Sequence, residues 1–343
     1  MTWSHLQITK PLDENQGDTM NEHFIKNIEI KNFKCFQNFK AEGFGRVNLI
    51  GGKNNVGKTA FMEACYLNTI SSNAKEYIIA CSSILTFGDY INIIKTNMEI
   101  HIEFFLQYPR KKLVINTNKN KTSYENKEKN SINTTEIFDI NGNKEEIERG
   151  TLKELTRDEL SKKKNHFIPS SQIENDYLND LHDQIRLDLH EEDLNNCIST
   201  LFGTKFKKFL MREKKPLIYN NEEWQSLSFY GDGIKRFISM VSALYASKDG
   251  YLYLDEIENG IHYTNLDKLW EIILTISKEQ NVQVFATTHS KECIESYARV
   301  AKKLEDEDIK FLSLYRNKEN ELKSITFDYE KIQDRIELGL DNR

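Results

Sequence analysis

No run of apolar residues in this 343-residue chain approaches the ~20 needed to cross a bilayer, so a membrane-embedded role is not expected. Cysteine is sparse. The five (Cys35, Cys65, Cys81, Cys197, Cys293) are scattered, and none forms a CxxC pair. That excludes a disulfide framework and a zinc module and fits a reducing, cytoplasmic setting with buried or inert thiols. Excess positive charge is also missing. Lys and Arg number 47 against 53 Asp and Glu, a net charge of −6, which excludes a protein that coats nucleic acid through an overall basic surface. There is no internal repeat of solenoid period and no long heptad array. Residues 1–23 lack the apolar core of a signal peptide and read as a disordered leader, with Met20 as an alternative start.

What is present is enough for a sizeable core. Hydrophobic residues make up 38% and aromatics 11% of the chain, which sets it apart from disordered sequences. Apolar runs that read as strands (Val47 to Ile50, Tyr251 to Leu254, Val282 to Thr287) alternate with helical patterns (Gly57 to Thr69, Gly233 to Tyr245, Asn265 to Ile276, Lys291 to Leu304). Such alternation predicts an α/β fold with a mostly parallel sheet. Met98 to Leu106 alternates in polarity and pairs naturally with Lys112 to Ile115 as a hairpin, which suggests an antiparallel β subdomain. From Arg110 the composition turns to Asn, Lys, Glu and Thr. The expected division is a head from 24 to 109, an inserted polar and helical subdomain from 110 to 215, and the second part of the head from 216 to 343.

Gly52-Lys53-Asn54-Asn55-Val56-Gly57-Lys58-Thr59 fits GxxxxGK[ST] without a mismatch, between a strand and a helix. Glycines let backbone N–H groups close around phosphate, and the helix N-terminus adds its positive dipole end. The expected nucleotide contacts are Gly52, Asn54, Asn55, Val56, Gly57, Lys58, Thr59 and Ala60. Lys58 should reach the β- and γ-phosphates of ATP, and Thr59 should ligate Mg²⁺. Leu252-Tyr253-Leu254-Asp255-Glu256 is an apolar strand that delivers two adjacent carboxylates, costly to bury unless they meet a cation or a reacting water. Asp255 is expected at the metal, and Glu256 as the base for the attacking water. His289 closes the next strand, in Thr287-Thr288-His289-Ser290, and should enter the same crevice.

These residues resemble the ABC-class ATPases of the branch that includes RecF, SMC and the OLD ATPases. The resemblance rests on Ile28 to Phe36, on the phosphate loop, and on Leu227-Ser228-Phe229-Tyr230-Gly231-Asp232-Gly233-Ile234-Lys235-Arg236 as the signature segment. It also rests on Leu254 to His262 as Walker B running into the D-loop, and on Ala286 to Ser290 as the switch histidine. The motifs stand in the family's order and cover roughly residues 24–70 and 224–300. The resemblance implies an ABC-type P-loop ATPase head that hydrolyses ATP between two copies of itself. Gly231 and Gly233 would then approach the γ-phosphate held by the partner, and Glu258-Asn259-Gly260 would lie at the seam. The signature departs from LSGGQ in having Phe229-Tyr230 before its glycines and Asp232 between them. Gln172 and Gln107 are the candidates for the Q-loop glutamine.

The 54 residues after His289 are too few for the TOPRIM nuclease domain of OLD nucleases. A separately encoded effector is therefore the expected partner, and an ATP-gated sensor or scaffold in prokaryotic antiviral defence the expected role. The alternative is a RecF-like repair clamp on duplex DNA. It draws on the seven basic residues between Arg110 and Lys129 that stand against only Glu125 and Glu128. A nucleotide-dependent scaffold with negligible turnover is a third reading; Glu256 argues against it, but phosphate contacts across a dimer could switch an assembly without hydrolysis, so it stays open.

Overall fold

The computed structural model describes residues 24–70, 100–106, 111–119, 133–138, 144–148, 164–220 and 222–337. The chain opens with a hairpin of β1 (Asn27–Phe33) and β2 (Phe36–Glu42), then β3 (Val47–Gly52) and helix α1 (Lys58–Ile70). Strands β4 (Ile100–Leu106), β5 (Lys111–Lys119), β6 (Asn133–Phe138) and β7 (Lys144–Glu148) follow. They extend the first hairpin into an antiparallel sheet of order β2-β1-β4-β5-β6-β7. Next come β8 (Asn165–Ile168), helices α2 (Asn175–Leu187) and α3 (Glu191–Phe202), and the small antiparallel sheet of β9 (Phe206–Arg212), β10 (Lys215–Asn220) and β11 (Glu223–Ser226). The last part runs α4 (Asp232–Ala246), β12 (Tyr251–Leu254), α5 (Leu266–Glu279), β13 (Gln283–Thr287), α6 (Lys291–Leu304), β14 (Ile309–Arg316), β15 (Leu322–Phe327) and α7 (Tyr329–Glu337).

The central sheet has the order β15-β14-β3-β13-β12-β8. Every pairing in it is parallel except β14 with β15. Both faces are covered, which is why β3, β12 and β13 are buried at every position. Alternate side chains serve different cores. Leu252, Leu254, Val284 and Ala286 pack with α4, α5 and α6, whereas Tyr253 and Phe285 pack with α1 and the β1–β2 hairpin. Tyr253 and Phe285 stack with ring centroids 5.5 Å apart. Helix α1 is buried nearly all round, as expected for a helix wedged between two layers. The fold is thus α/β, with a mostly parallel sheet, antiparallel strands and packed helices.

The expected division at 109/110 falls inside the β4–β5 hairpin, where Leu106 pairs with Lys111. The polar composition beyond Arg110 belongs to strands that continue an antiparallel sheet, which needs only one apolar face. Strand β8, also expected within the insert, is an edge of the central sheet and pairs with β12. Residues 1–23, Gln107, Thr151 to Lys163 and most of the basic Arg110–Lys129 stretch lie outside the described residues; Lys111, Lys112 and Lys119 belong to β5. No helix among the described residues is long and apolar enough to cross a membrane.

Candidate functional site

Strands β3, β13 and β12 are neighbours in the central sheet, and each ends at the same edge in a polar segment. Such carboxyl ends are where open parallel sheets bind ligands. The loop between β3 and α1 is shaped by its glycines. Gly52 has φ +142°, and a Cβ there would come within 2.5 Å of the Leu314 carbonyl oxygen. Gly57 has φ +107°, and a Cβ there would meet Cys35 Sγ at 2.6 Å. Neither position tolerates a side chain. Asn54, Asn55 and Thr59 are exposed, whereas the side chains of Val56 and Ala60 are buried and leave only their backbone to a ligand.

Lys58 opens α1 yet is 4% exposed. Its ammonium donates to the carbonyls of Gly52 at 2.8 Å and Lys53 at 3.1 Å, so it lies across its own loop. It also approaches His289 Nδ1 at 3.2 Å. Burial lowers its pKa, against the opposing pull of Asp255, Glu256 and Glu258.

Asp255 is 3% exposed. The Thr59 hydroxyl donates to its two carboxylate oxygens at 3.0 and 3.2 Å, and the Thr287 hydroxyl donates to Oδ1 at 2.7 Å. Thr287 Oγ1 also accepts the Glu256 N–H at 2.7 Å, so one threonine on β13 ties down both acids. Glu256 stands in the left-handed region, φ +50°. Its carboxylate lies 3.4 Å from His289 Nε2. The two nitrogens of His289 therefore bridge Lys58 and Glu256. The main-chain N–H of His289 donates to Glu258 Oε1 at 2.8 Å. Ser290 caps α6 by accepting the Cys293 N–H at 3.1 Å, which ends β13 and starts the helix directly after the histidine.

The expected residues Lys58, Thr59, Asp255, Glu256 and His289 are thus brought into one cluster. Thr287 was not singled out from the sequence; its place opposite Asp255 depends on the parallel β12–β13 register, which pairs Leu254 with Ala286. A threonine hydroxyl beside a carboxylate, where a glycine-shaped loop leads into a helix N-terminus, is a donor set suited to Mg²⁺. That ion takes one or two protein oxygens, keeps waters and shares the phosphates. Among the described residues no group of three or more His, Cys, Asp or Glu is placed to hold a metal without such help.

Within the signature segment Phe229 and Gly231 are exposed, the latter at φ +76°. Gly233 has a packing role within the chain: a Cβ there would fall 2.1 Å from the Gly260 carbonyl oxygen. Gln172 follows β8 and lines a cavity of about 140 Å³ together with Ser170, Asp232, Lys235, Arg236 and Asn259. Among the described residues Cys35, Cys65, Cys197 and Cys293 are free thiols. Burial pushes the Cys197 and Cys293 thiols up to about 12, which makes them inert.

Residues 87–294 match the family described as AAA ATPase domain. The chain is 27% identical to an ATP/GTP phosphatase of Helicobacter pylori, spanning 79% of this chain and 86% of that protein. Among solved structures it is similar to an SMC head bound to the C-winged helix domain of ScpA, at 13% identity and TM-score 0.48, covering 91% of this chain and 99% of that one. It is also similar to the SMC head domain from Thermotoga maritima, at 17% identity and TM-score 0.41, covering 88% and 98%. The family match, over more than half of the chain and including both carboxylates and His289, makes this protein a member of the AAA ATPase domain family and an ATPase.

Proposed function

We propose that ATP is hydrolysed at the cluster formed by Lys58, Thr59, Asp255, Glu256 and His289. The observation that carries this reading is the chain of contacts from Lys58 through His289 to Glu256, at 3.2 and 3.4 Å. Lys58 gives up the carbonyls of Gly52 and Lys53 and takes the β- and γ-phosphate oxygens. The loop N–H groups and the α1 dipole hold the remaining phosphate charge. Thr59 and Asp255 are the residues that would hold Mg²⁺, which when bound neutralises charge on the β- and γ-phosphates. Glu256 takes a proton from water as the water oxygen bonds to the γ-phosphorus and the bond to the β–γ bridging oxygen breaks. His289 orients that carboxylate and senses the γ-phosphate. Gly231 and Gly233 of a second copy complete the site in an ATP-bound dimer.

The wider role we propose is that of an ATP-gated sensor or scaffold in prokaryotic antiviral defence, controlling a separate effector. It is supported by the resemblance of the ordered motifs to OLD-like ATPases. The RecF-like clamp remains as the second reading because of the basic residues between Arg110 and Lys129. Phosphate release, measured with and without duplex DNA against Lys58→Ala as blank, separates the two. A rate indifferent to DNA, with an effector retained on a Glu256→Gln bait, is expected. Strong stimulation by DNA with no retained protein overturns the sensor reading.

A further inference from the structure

Arg236 lies one turn into α4, the helix that begins at the signature glycines, and is 6% exposed. Among the described residues its guanidinium meets no carboxylate directly. Nη1 donates to the Pro169 carbonyl, and Nη2 donates to the Asp255 carbonyl and, at 3.2 Å, to that of Glu256. Pro169 follows β8 and the two acids follow β12, its neighbour in the sheet. A buried guanidinium spent on backbone carbonyls at two adjacent strand ends acts as a clamp on the main chain.

Three further observations bear on what the clamp does. The first turn of α4 is pressed against the turn after Glu256, because Gly233 abuts the Gly260 carbonyl. Glu256 stands in a left-handed conformation that is unfavourable for a non-glycine residue. It is held there from both sides, its N–H by Thr287 and its carbonyl by Arg236. The direction of its carboxylate toward His289 follows from that backbone. Finally, the cavity of about 140 Å³ borders Arg236, Asp232 and Gln172, so this end of α4 has room to shift that the packed core lacks.

We propose that Arg236 is a positioning residue that ties the signature end of α4 to the Glu256 backbone, so that engagement of Gly231–Gly233 is felt at the Glu256 carboxylate. The proposal rests on the reading of Glu256 as the base. It gives a buried residue of the signature helix a task at the site of its own subunit, while the exposed Gly231 ahead of it is left to the partner.

The test uses Arg236→Met, Arg236→Lys, Glu256→Gln and the double variant Arg236→Met with Glu256→Gln, all in the full chain. Arg236→Met is expected to lower kcat about 100-fold, the scale of a misplaced reacting group, with KM and the ATP Kd unchanged within about twofold. Arg236→Lys, which keeps one donor to the carbonyls, should recover part of kcat and also covers the case in which the methionine variant does not fold. The double variant should be no slower than Glu256→Gln alone, because both changes act on one group. A strut that only supports the fold would lower the unfolding midpoint and leave kcat per folded molecule intact; that result overturns the proposal. So does a loss that multiplies fully in the double variant. Wild-type turnover by Glu256→Gln removes the base reading and this inference together. A silent Glu256→Gln beside fully active Arg236 variants removes the inference alone.

Discussion

Lys58 shows how a single buried cation finds its partners. Its ammonium is buried and would lose several kcal/mol without partners, so it folds back onto the carbonyls of Gly52 and Lys53 and toward His289. Phosphate oxygens would replace those partners. Lys58→Ala should therefore abolish measurable ATP binding in a fluorescent-nucleotide titration while leaving the unfolding midpoint close to wild type; unchanged binding would place the phosphates elsewhere. His166 on β8 makes the opposite case, a buried base kept neutral. Its Nδ1 lies 3.2 Å from the Tyr177 hydroxyl, and burial lowers its pKa from 6.5 to about 4. The unfolded chain therefore binds a proton between those values that the folded chain refuses, so stability falls as pH drops through that window. Urea midpoints should decline from pH 6.5 toward pH 4 in the wild type. His166→Gln should flatten that decline, and an unaltered slope would assign the acid sensitivity to other groups.

At the scale of the element, the parallel strands could be read from the sequence because burial on both faces leaves them continuously apolar, as in Tyr251 to Leu254. The phosphate loop was legible because its glycines are needed where they stand, Gly52 against the Leu314 carbonyl and Gly57 against Cys35. The β4–β5 hairpin was also legible, through the apolar alternation of Lys112 to Ile115, but β6 and β7 were not, because a polar antiparallel strand carries no signal that separates it from a solvated insert. Nor could the sequence give Thr287 its task, since that depends on which strand lies beside β12. Gly233 reads as a ligand-facing turn in sequence, yet in the fold it is the contact between α4 and the turn at Gly260. Gly233→Ala should accordingly cost roughly 1–3 kcal/mol of stability, the scale of overpacking, in denaturant titrations. A neutral effect would show that the two turns separate freely.

For the whole molecule, the proposed reading joins the cluster at the sheet edge, which would meet the phosphates, to the exposed turn at Gly231, which a second copy would use. Glu256→Gln should bind ATP, hydrolyse it slowly and accumulate dimers in light scattering, whereas Lys58→Ala should stay monomeric at the same nucleotide concentration. Equal masses for the two variants would count against an ATP-bridged dimer.

The strand that carries the phosphate loop sits in the sheet between β13 and β14, which come more than 200 residues later in the chain. During synthesis β3 leaves the ribosome on the order of tens of seconds before either flanking strand exists. The loop is complete in sequence by Thr59, but the pairs that flank it, Ile50 with Thr287 and Gly52 with Leu314, cannot form until those residues have been made. On the proposed reading, a nascent chain would bind nucleotide, and pair with another through it, only after the strands that carry Glu256 and His289 have been made.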